Sequence, residues 1–327
     1  MTRTRTYTLQ LRSAAAALAW VLLGCADVGP AEPRAEPEDL TPQFVINGED
    51  DFERRAAAAI MVYDPNHPEK PGWRAHCSAA LIHRRVIQTA GHCIQFLEAD
   101  LALGRTHAAW VSFQQDPIAH FSADPAVESP TSGGWYEIAS LHNNPDNVDF
   151  IALRQSDPAD VLAVWGKFHD SGAIVLKESV KGIKPMKMVQ GRSQVGGLLE
   201  RARCGIDDSR CRLLMVTYGL QEFPVVTPPP VQVRQAALLR YKGIDPLFIS
   251  TFDEPPGSAF GANCPGDSGA PVILQDENGK DRKIVAISSS PADPFGFPCT
   301  TGALQYRVDT DSHRRFIREV IRSVERR

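Results

Sequence analysis

Three separated stretches of this 327-residue chain carry side chains that together could attack a carbonyl carbon. Ser268 lies in Cys264-Pro-Gly266-Asp267-Ser268-Gly269-Ala270-Pro271. Its hydroxyl becomes a nucleophile only when a neighbouring base takes the proton. His92, in Thr89-Ala-Gly-His92-Cys93, carries the side chain whose ordinary pKa suits that exchange near neutral pH. Asp149, in Asn147-Val-Asp149-Phe-Ile-Ala-Leu153, offers a carboxylate that would hold the far ring N–H and stabilise the imidazolium once formed. Asp146 is the local competitor, but it stands beside Pro145 and further from the apolar run, where Asp serves turns. The order His, Asp, Ser separates this set from hydrolases that run Ser, Asp, His or Asp, His, Ser.

Around these residues the sequence resembles the trypsin/chymotrypsin family of serine proteases. The segment from Cys77 to Cys93 is similar to the family's two strands leading into Thr-Ala-x-His-Cys. Asp149-Phe-Ile-Ala-Leu resembles its Asp-(Ile/Leu)-Ala-Leu, and Gly266-Asp-Ser268-Gly-Ala-Pro its Gly-Asp-Ser-Gly-Gly-Pro, with Ala270 replacing the second Gly. Leu101-Ala-Leu-Gly104 looks like the strand after the His loop, and Val216-Thr-Tyr-Gly219 like a Ser-Gly-Trp-Gly segment, so the resemblance covers nearly all of 45–327. It implies an all-β fold of two packed six-stranded antiparallel β-barrels with a C-terminal helix, His92 and Asp149 on one barrel and Ser268 on the other. The implied chemistry is peptide-bond hydrolysis through an acyl-enzyme, with the N–H groups of Gly266 and Ser268 as the oxyanion hole. The implied bridges are Cys77–Cys93 and Cys264–Cys299. Cys204 and Cys211 then remain to pair as a short local loop, the alternative being two free thiols.

Members of that family become active when cleavage frees an Ile or Val amino group that pairs with the Asp before the nucleophile. Val45-Ile-Asn-Gly48 resembles such a terminus, with Asp267 its expected partner, yet Phe44 stands where an activating trypsin wants Arg or Lys. An activator that accepts Phe or Gln, self-processing, and a chain that never matures all stay open. Six residues before the nucleophile, where trypsin has an Asp, is Ala262; Ser288-Ser289-Ser290 stands in place of Ser-Trp-Gly. A pocket lined by Ala262, Ser288 and Ser290 argues against trypsin-like specificity and for a small or medium uncharged residue before the scissile bond. The competing function is a zymogen-locked, lipid-anchored binding or regulatory module with an unused triad; a third is an esterase on the same scaffold.

The elements that must position these groups read as short apolar runs punctuated by Gly, Pro, Asn and Asp, the pattern of antiparallel barrels or sandwiches. Strands are predicted at Ala57–Tyr63, Ala79–Ile82, Val86–Thr89, Leu101–Leu103, Trp110–Phe113, Phe150–Leu153, Leu213–Thr217, Val231–Leu239, Pro271–Leu274 and Ile284–Ser288. Phe316, Ile317, Val320, Ile321 and Val324 recur at helical spacing after Asp311-Ser312, predicting a capped amphipathic C-terminal helix. Both intervals between the three chemical residues are long for the family, which places insertions near 114–135 and 155–210.

The N-terminus differs. Arg3, Arg5 and Arg12 precede an apolar run, Ala14–Leu23, that suits a secretory signal peptide better than a spanning helix. Leu22-Leu-Gly24-Cys25 resembles a bacterial lipobox with Cys25 as lipid acceptor, the alternative being an ordinary signal peptide with an incidental Cys. The expected divisions are a lipoprotein signal at 1–24, a lipidated Pro/Glu-rich tether or propeptide at 25–44, and the protease domain at 45–327. Without Cys25 the cysteines number six, the even count of a disulfide framework in an exported chain. A net charge of −4 gives no field favouring nucleic acid. The expected protein is exported, held in the cell envelope by its lipid or secreted, and monomeric, with a protein or peptide substrate. No cofactor is expected, and no metal, since no Cys-x-x-Cys pair or zinc-spaced Cys/His cluster occurs. His67, His76, His83, His107, His120, His142, His169 and His313 read as surface or locally bonded imidazoles.

Overall fold

The computed structural model describes residues 47–66, 71–130, 133–206, 210–219, 232–254, 258–295 and 299–326. The signal segment, Cys25, the tether, Phe44 and Val45 lie outside the described residues, as do Pro228–Pro230. A two-residue strand, β1 (Glu49–Asp50), is followed by β2 (Ala57–Asp64), β3 (Gly72–His83), β4 (Val86–Thr89), β5 (Ala108–Ser112), β6 (Trp135–Asn143) and β7 (Gly172–Leu176). Strands β2 to β7 close a barrel in the order β2-β3-β4-β7-β6-β5. The second half holds β8 (Leu213–Thr217), β9 (Gln235–Ile244), β10 (Phe248–Phe252), β11 (Pro271–Gln275), β12 (Asp281–Pro291) and β13 (Ala303–Arg307). These run β9-β10-β13-β12-β11-β8, and pairing of β8 back onto β9 closes a second six-stranded barrel, with β1 added at the β9 edge. All the named strand pairs are antiparallel. The helices are α1 (Gly91–Ala102), α2 (Pro117–His120), α3 (Phe150–Leu153), α4 (Pro158–Val164), α5 (Gln194–Arg201) and α6 (Asp311–Glu325).

Two predicted strands are helical, for local reasons. Leu101 and Ala102 end α1, with Leu103 as its cap. Phe150–Leu153 is α3, because the Asp149 carboxylate accepts the N–H groups of Ile151 (2.9 Å) and Ala152 (3.0 Å) and so caps a helical turn. A four-residue apolar run does not by itself distinguish strand from helix. The strand that fills the predicted role is β7, Gly172-Ala-Ile-Val-Leu176, buried at every position and absent from the expected set.

Helix α6 starts where the sequence places it, but its N-cap is Thr310, whose hydroxyl accepts the His313 N–H. Phe316, Ile317, Val320 and Val324 bury against Val86 of β4 and Ala173 and Val175 of β7, so a helix that follows the second barrel clasps the first. Its first turn also grips both ends of the connection between β6 and β7: Asn144 donates to the Ser312 hydroxyl at 2.9 Å, and His313 Nδ1 lies 2.8 Å from the Ser171 hydroxyl. Burial drives the His313 pKa down to about 3, so this contact holds a neutral ring. Phe316→Ala is expected to destabilise the protein by about 3–5 kcal/mol, from lost transfer energy plus a residual cavity, read as a lower denaturant midpoint at unchanged slope.

Candidate active site

His92 occupies the first turn of α1, just past strand β4. A Cβ on Gly172 would come within 2.6 Å of the Ala90 carbonyl oxygen and the Ile94 side chain, so glycine is what lets β7 run this close to the start of α1. The Thr89–Gly172 pair fixes the register. Two residues upstream, this delivers Asp170 to His92. The Asp170 carboxylate accepts His92 Nδ1–H at 2.7 Å and the His92 backbone N–H at 2.8 Å, the latter one of the donors a helix leaves unmatched in its first turn. It also accepts the Ser289 hydroxyl at 2.6 Å. Asp170 is wholly buried, which alone would raise its pKa; the facing imidazole and these hydrogen bonds prevail and hold it below the ordinary carboxylate range. An ionised carboxylate only accepts, so Nδ1 carries the proton and Nε2 keeps its lone pair.

The expected carboxylate, Asp149, is therefore corrected to Asp170. Asp149 is exposed and committed to the α3 cap. Its segment still borders the site: Gln95 of α1 bonds Val148 O and Phe150 N, and the Phe150 ring packs 5.4 Å from the His92 ring.

Ser268 comes from the turn ahead of β11. It lines, with His92, Gly266, Phe96, Arg105 and Arg154, a cavity of about 640 Å³. Its hydroxyl donates to the Ser289 carbonyl at 3.4 Å, a long bond that is readily exchanged. The turn is shaped by Ser78 N–H to Ser268 O (2.8 Å), Gly269 N–H to Ser288 O (2.8 Å), Ala270 N–H to Asp267 O (2.9 Å) and Asp267 N–H to Cys264 O (3.1 Å). Gly266 has φ +94°, and neither its N–H nor that of Ser268 meets a protein acceptor among the described residues.

The bridges Cys77–Cys93, Cys204–Cys211 and Cys264–Cys299 are all formed. The first closes 16 residues under the His92 helix, worth about 3 kcal/mol in loop entropy, and the third ties the nucleophile turn to the segment before β13. At Gly269, φ is +84° and a Cβ would stand 2.0 Å from the Thr89 hydroxyl and 2.2 Å from Ser78 O, whereas Ala270 is accommodated wholly buried. Gly269→Ala is accordingly expected to destabilise by about 3 kcal/mol or more and to abolish Ser268 reactivity, checked by thermal unfolding and active-site labelling.

The side chains of Ser288 and Ser289 are divided by strand alternation. Ser289 turns to Asp170, while Ser288 accepts the Asn263 amide and Ser290 is buried with no hydrogen-bond partner among the described residues. Ala262 is fully buried beside the Cys264–Cys299 bridge. A half-buried carboxyl, Asp253, is tied to the residue after Ala262, its oxygens taken by the N–H groups of Asn263 (3.0 Å) and Gly302 (2.9 Å) and by that of Thr301. Val45, the expected partner of Asp267, lies outside the described residues.

No family model and no curated protein matches the chain. Solved structures do. Human heparin binding protein aligns over 85% of this chain and 97% of its own, with 15% identity and a TM-score of 0.53. The architecture is the trypsin-like fold. In that fold the cavity shared by His92 and Ser268 lies where the two barrels meet, His92 entering from the first and Ser268 from the second.

Proposed function

We propose that the chain is an exported serine endopeptidase that hydrolyses peptide bonds with His92, Asp170 and Ser268. The observation that carries this reading is the fully buried Asp170 locked onto His92 Nδ1–H, with His92 and Ser268 lining one cavity. A structural His needs no buried carboxylate with three aligned donors, whereas a general base needs its tautomer fixed. In the reaction, His92 Nε2 takes the Ser268 proton as Oγ attacks the substrate carbonyl. Asp170 stabilises the imidazolium, and the unengaged N–H groups of Gly266 and Ser268 receive the developing oxyanion. His92 then protonates the leaving amine, and water repeats the sequence to release the acyl group.

The pocket wall of Ala262, Ser288 and Ser290 presents no unspent carboxylate, and Asp253 is engaged by backbone, which favours an uncharged residue before the scissile bond. Three disulfides suit an oxidising, exported setting, and Cys25 supplies a lipid anchor within this proposal. Because the aligned human structure is named for binding heparin, the same fold read as a binding module is the alternative. A fluorophosphonate probe separates the two. Labelling of the wild type but not of Ser268→Ala, together with peptide turnover, supports the protease. Ester turnover without peptide turnover would make it an esterase, and no labelling would favour the binding module.

A further inference from the structure

Asp267, next to the nucleophile, is wholly buried, and no cation pairs with it among the described residues. An ionised carboxylate left so is expensive unless hydrogen bonds replace its hydration. Here neutral groups meet it. The Thr217 hydroxyl donates to Oδ1 at 2.6 Å and the Cys264 N–H donates to Oδ2 at 2.6 Å, while the Gly219 N–H donates to the Thr217 hydroxyl oxygen at 3.0 Å. The fit is close enough that a Cβ on Gly219 would lie 1.9 Å from Oδ1.

These contacts extend across the barrel boundary. Thr217, the last residue of β8, lies 2.9 Å from the hydroxyl of Ser78 in β3 of the other barrel. Ser78 accepts the Tyr218 N–H at 2.9 Å, and its single proton is shared between Thr217 Oγ1 and the Gly266 carbonyl, 2.9 Å away. Ser78, Thr217, Tyr218 and Asp267 are all fully buried. Thr217 occupies the position where the resembling Ser-Gly-Trp-Gly segment has Gly, so its hydroxyl is an addition to that pattern. The two hydroxyls thus run from Asp267 to the peptide unit that follows the Gly266 N–H, while the Ser78 backbone N–H holds Ser268 O. Gly266 and Ser268 line the cavity, and their N–H groups meet no protein acceptor among the described residues.

The geometry points to Ser78 and Thr217 as a built-in latch that holds the oxyanion turn in working shape without an inserted amino terminus, so that the chain hydrolyses substrate with no cleavage before Val45. This rests on the protease reading. It also accounts for Phe44: a chain that needs no activating cut needs no basic residue there. The carboxyl itself is adapted to neutral partners, since burial lifts its pKa to about 7. Ser78 and Thr217 are positioning residues; neither touches the reacting atoms.

The test uses the full chain bearing Val45→Pro, confirmed uncleaved by intact mass, with fluorophosphonate labelling of Ser268 and peptide turnover as readouts. The uncleaved chain is expected to label within about threefold of the wild type. In that background Thr217→Val should slow labelling by about 30-fold, the scale of one buried hydrogen bond to a carboxyl group, and Thr217→Ser should restore it. Ser78→Ala should slow it about tenfold. A peptide boronate, which mimics the oxyanion, should lose affinity in Thr217→Val in proportion to the labelling loss, while a neutral product peptide keeps its affinity; a merely structural role would lower both together. If Thr217→Val fails to fold, Thr217→Ser, Ser78→Ala and the uncleaved parent still decide. Labelling that arises only in wild type cut before Val45 overturns the latch and leaves the protease standing, as does an uncleaved Ser78→Ala and Thr217→Val pair with parental rates. Absence of labelling in cut and uncut chains alike overturns the protease reading itself.

Discussion

Asp170→Asn is expected to lower kcat/KM by about 10⁴-fold while leaving the fold intact, and Asp149→Ala to leave turnover within about twofold. The asymmetry follows from what each carboxylate touches. Asp170 receives Nδ1–H, a helix N–H and the Ser289 hydroxyl, all at 2.6–2.8 Å. A carboxamide fills the same volume, but it has only one accepting oxygen for three donors. If that oxygen stays with the helix N–H, the new NH₂ faces Nδ1, which must then accept. The proton moves to Nε2, and the ring can no longer take one from Ser268. The protein pays little in stability for this, since most contacts survive. Asp149 caps α3 from an exposed position, so its loss should cost about 1 kcal/mol of stability and nothing in chemistry. Peptide turnover and denaturant midpoints measured on both variants decide the matter; a large turnover loss in Asp149→Ala with a modest one in Asp170→Asn would return the role to Asp149.

His92 and Ser268 were legible from sequence because their neighbourhoods are constrained by backbone. Cys77–Cys93, Gly266 at φ +94° and Gly269 at φ +84° admit few residue types, so the motifs around them are dense. The carboxylate was not, because an Asp ahead of a short apolar run fits two local outcomes. Asp149 followed by Phe-Ile-Ala-Leu satisfies a helix cap as well as a strand entry, and the choice is made by partners far away in sequence. Asp170-Ser-Gly-Ala-Ile-Val-Leu176 carried the better signal: five consecutive buried apolar or small residues bounded by Asp-Ser, with a glycine where β7 must approach Ala90. Taking Asp170 shortens the second interval from 119 to 98 residues but lengthens the first from 57 to 78, so the extra length falls ahead of the carboxylate. The Ser288–Ser290 run was not resolved by face from sequence; strand alternation sends Ser289 to Asp170 and Ser288 to Asn263. The latch hydroxyls, Ser78 and Thr217, had no sequence signal at all, since their meaning lies in a contact between barrels 139 residues apart.

Asp267→Asn is expected to make the uncleaved chain more stable above neutral pH and less active, and the pH dependence of the first effect identifies its cause. The unfolded carboxyl deprotonates near 3.8, whereas burial holds the folded one to about 7. Between those values the native state binds more protons than the unfolded state, so this group's contribution to stability falls as pH rises from about 4 to 7 and is flat beyond. Other groups move oppositely: Asp170, with a lowered pKa, and His313, lowered to about 3, both favour the native state more as pH rises. The total curve is therefore uninformative, and the quantity to measure is the difference between variant and wild type. It should grow in favour of Asp267→Asn by about 4 kcal/mol between pH 4 and pH 8, about three pKa units of proton linkage, with a constant offset from the altered hydrogen bonds. Activity should move the other way, by about 10²-fold, because an amide, with one oxygen, cannot accept from both Thr217 and Cys264 as the carboxyl group does and the oxyanion turn loosens. A pH-independent stability difference would mean that a cation already sits on Asp267 in the uncleaved chain. That result would replace the hydroxyl latch with an ion pair.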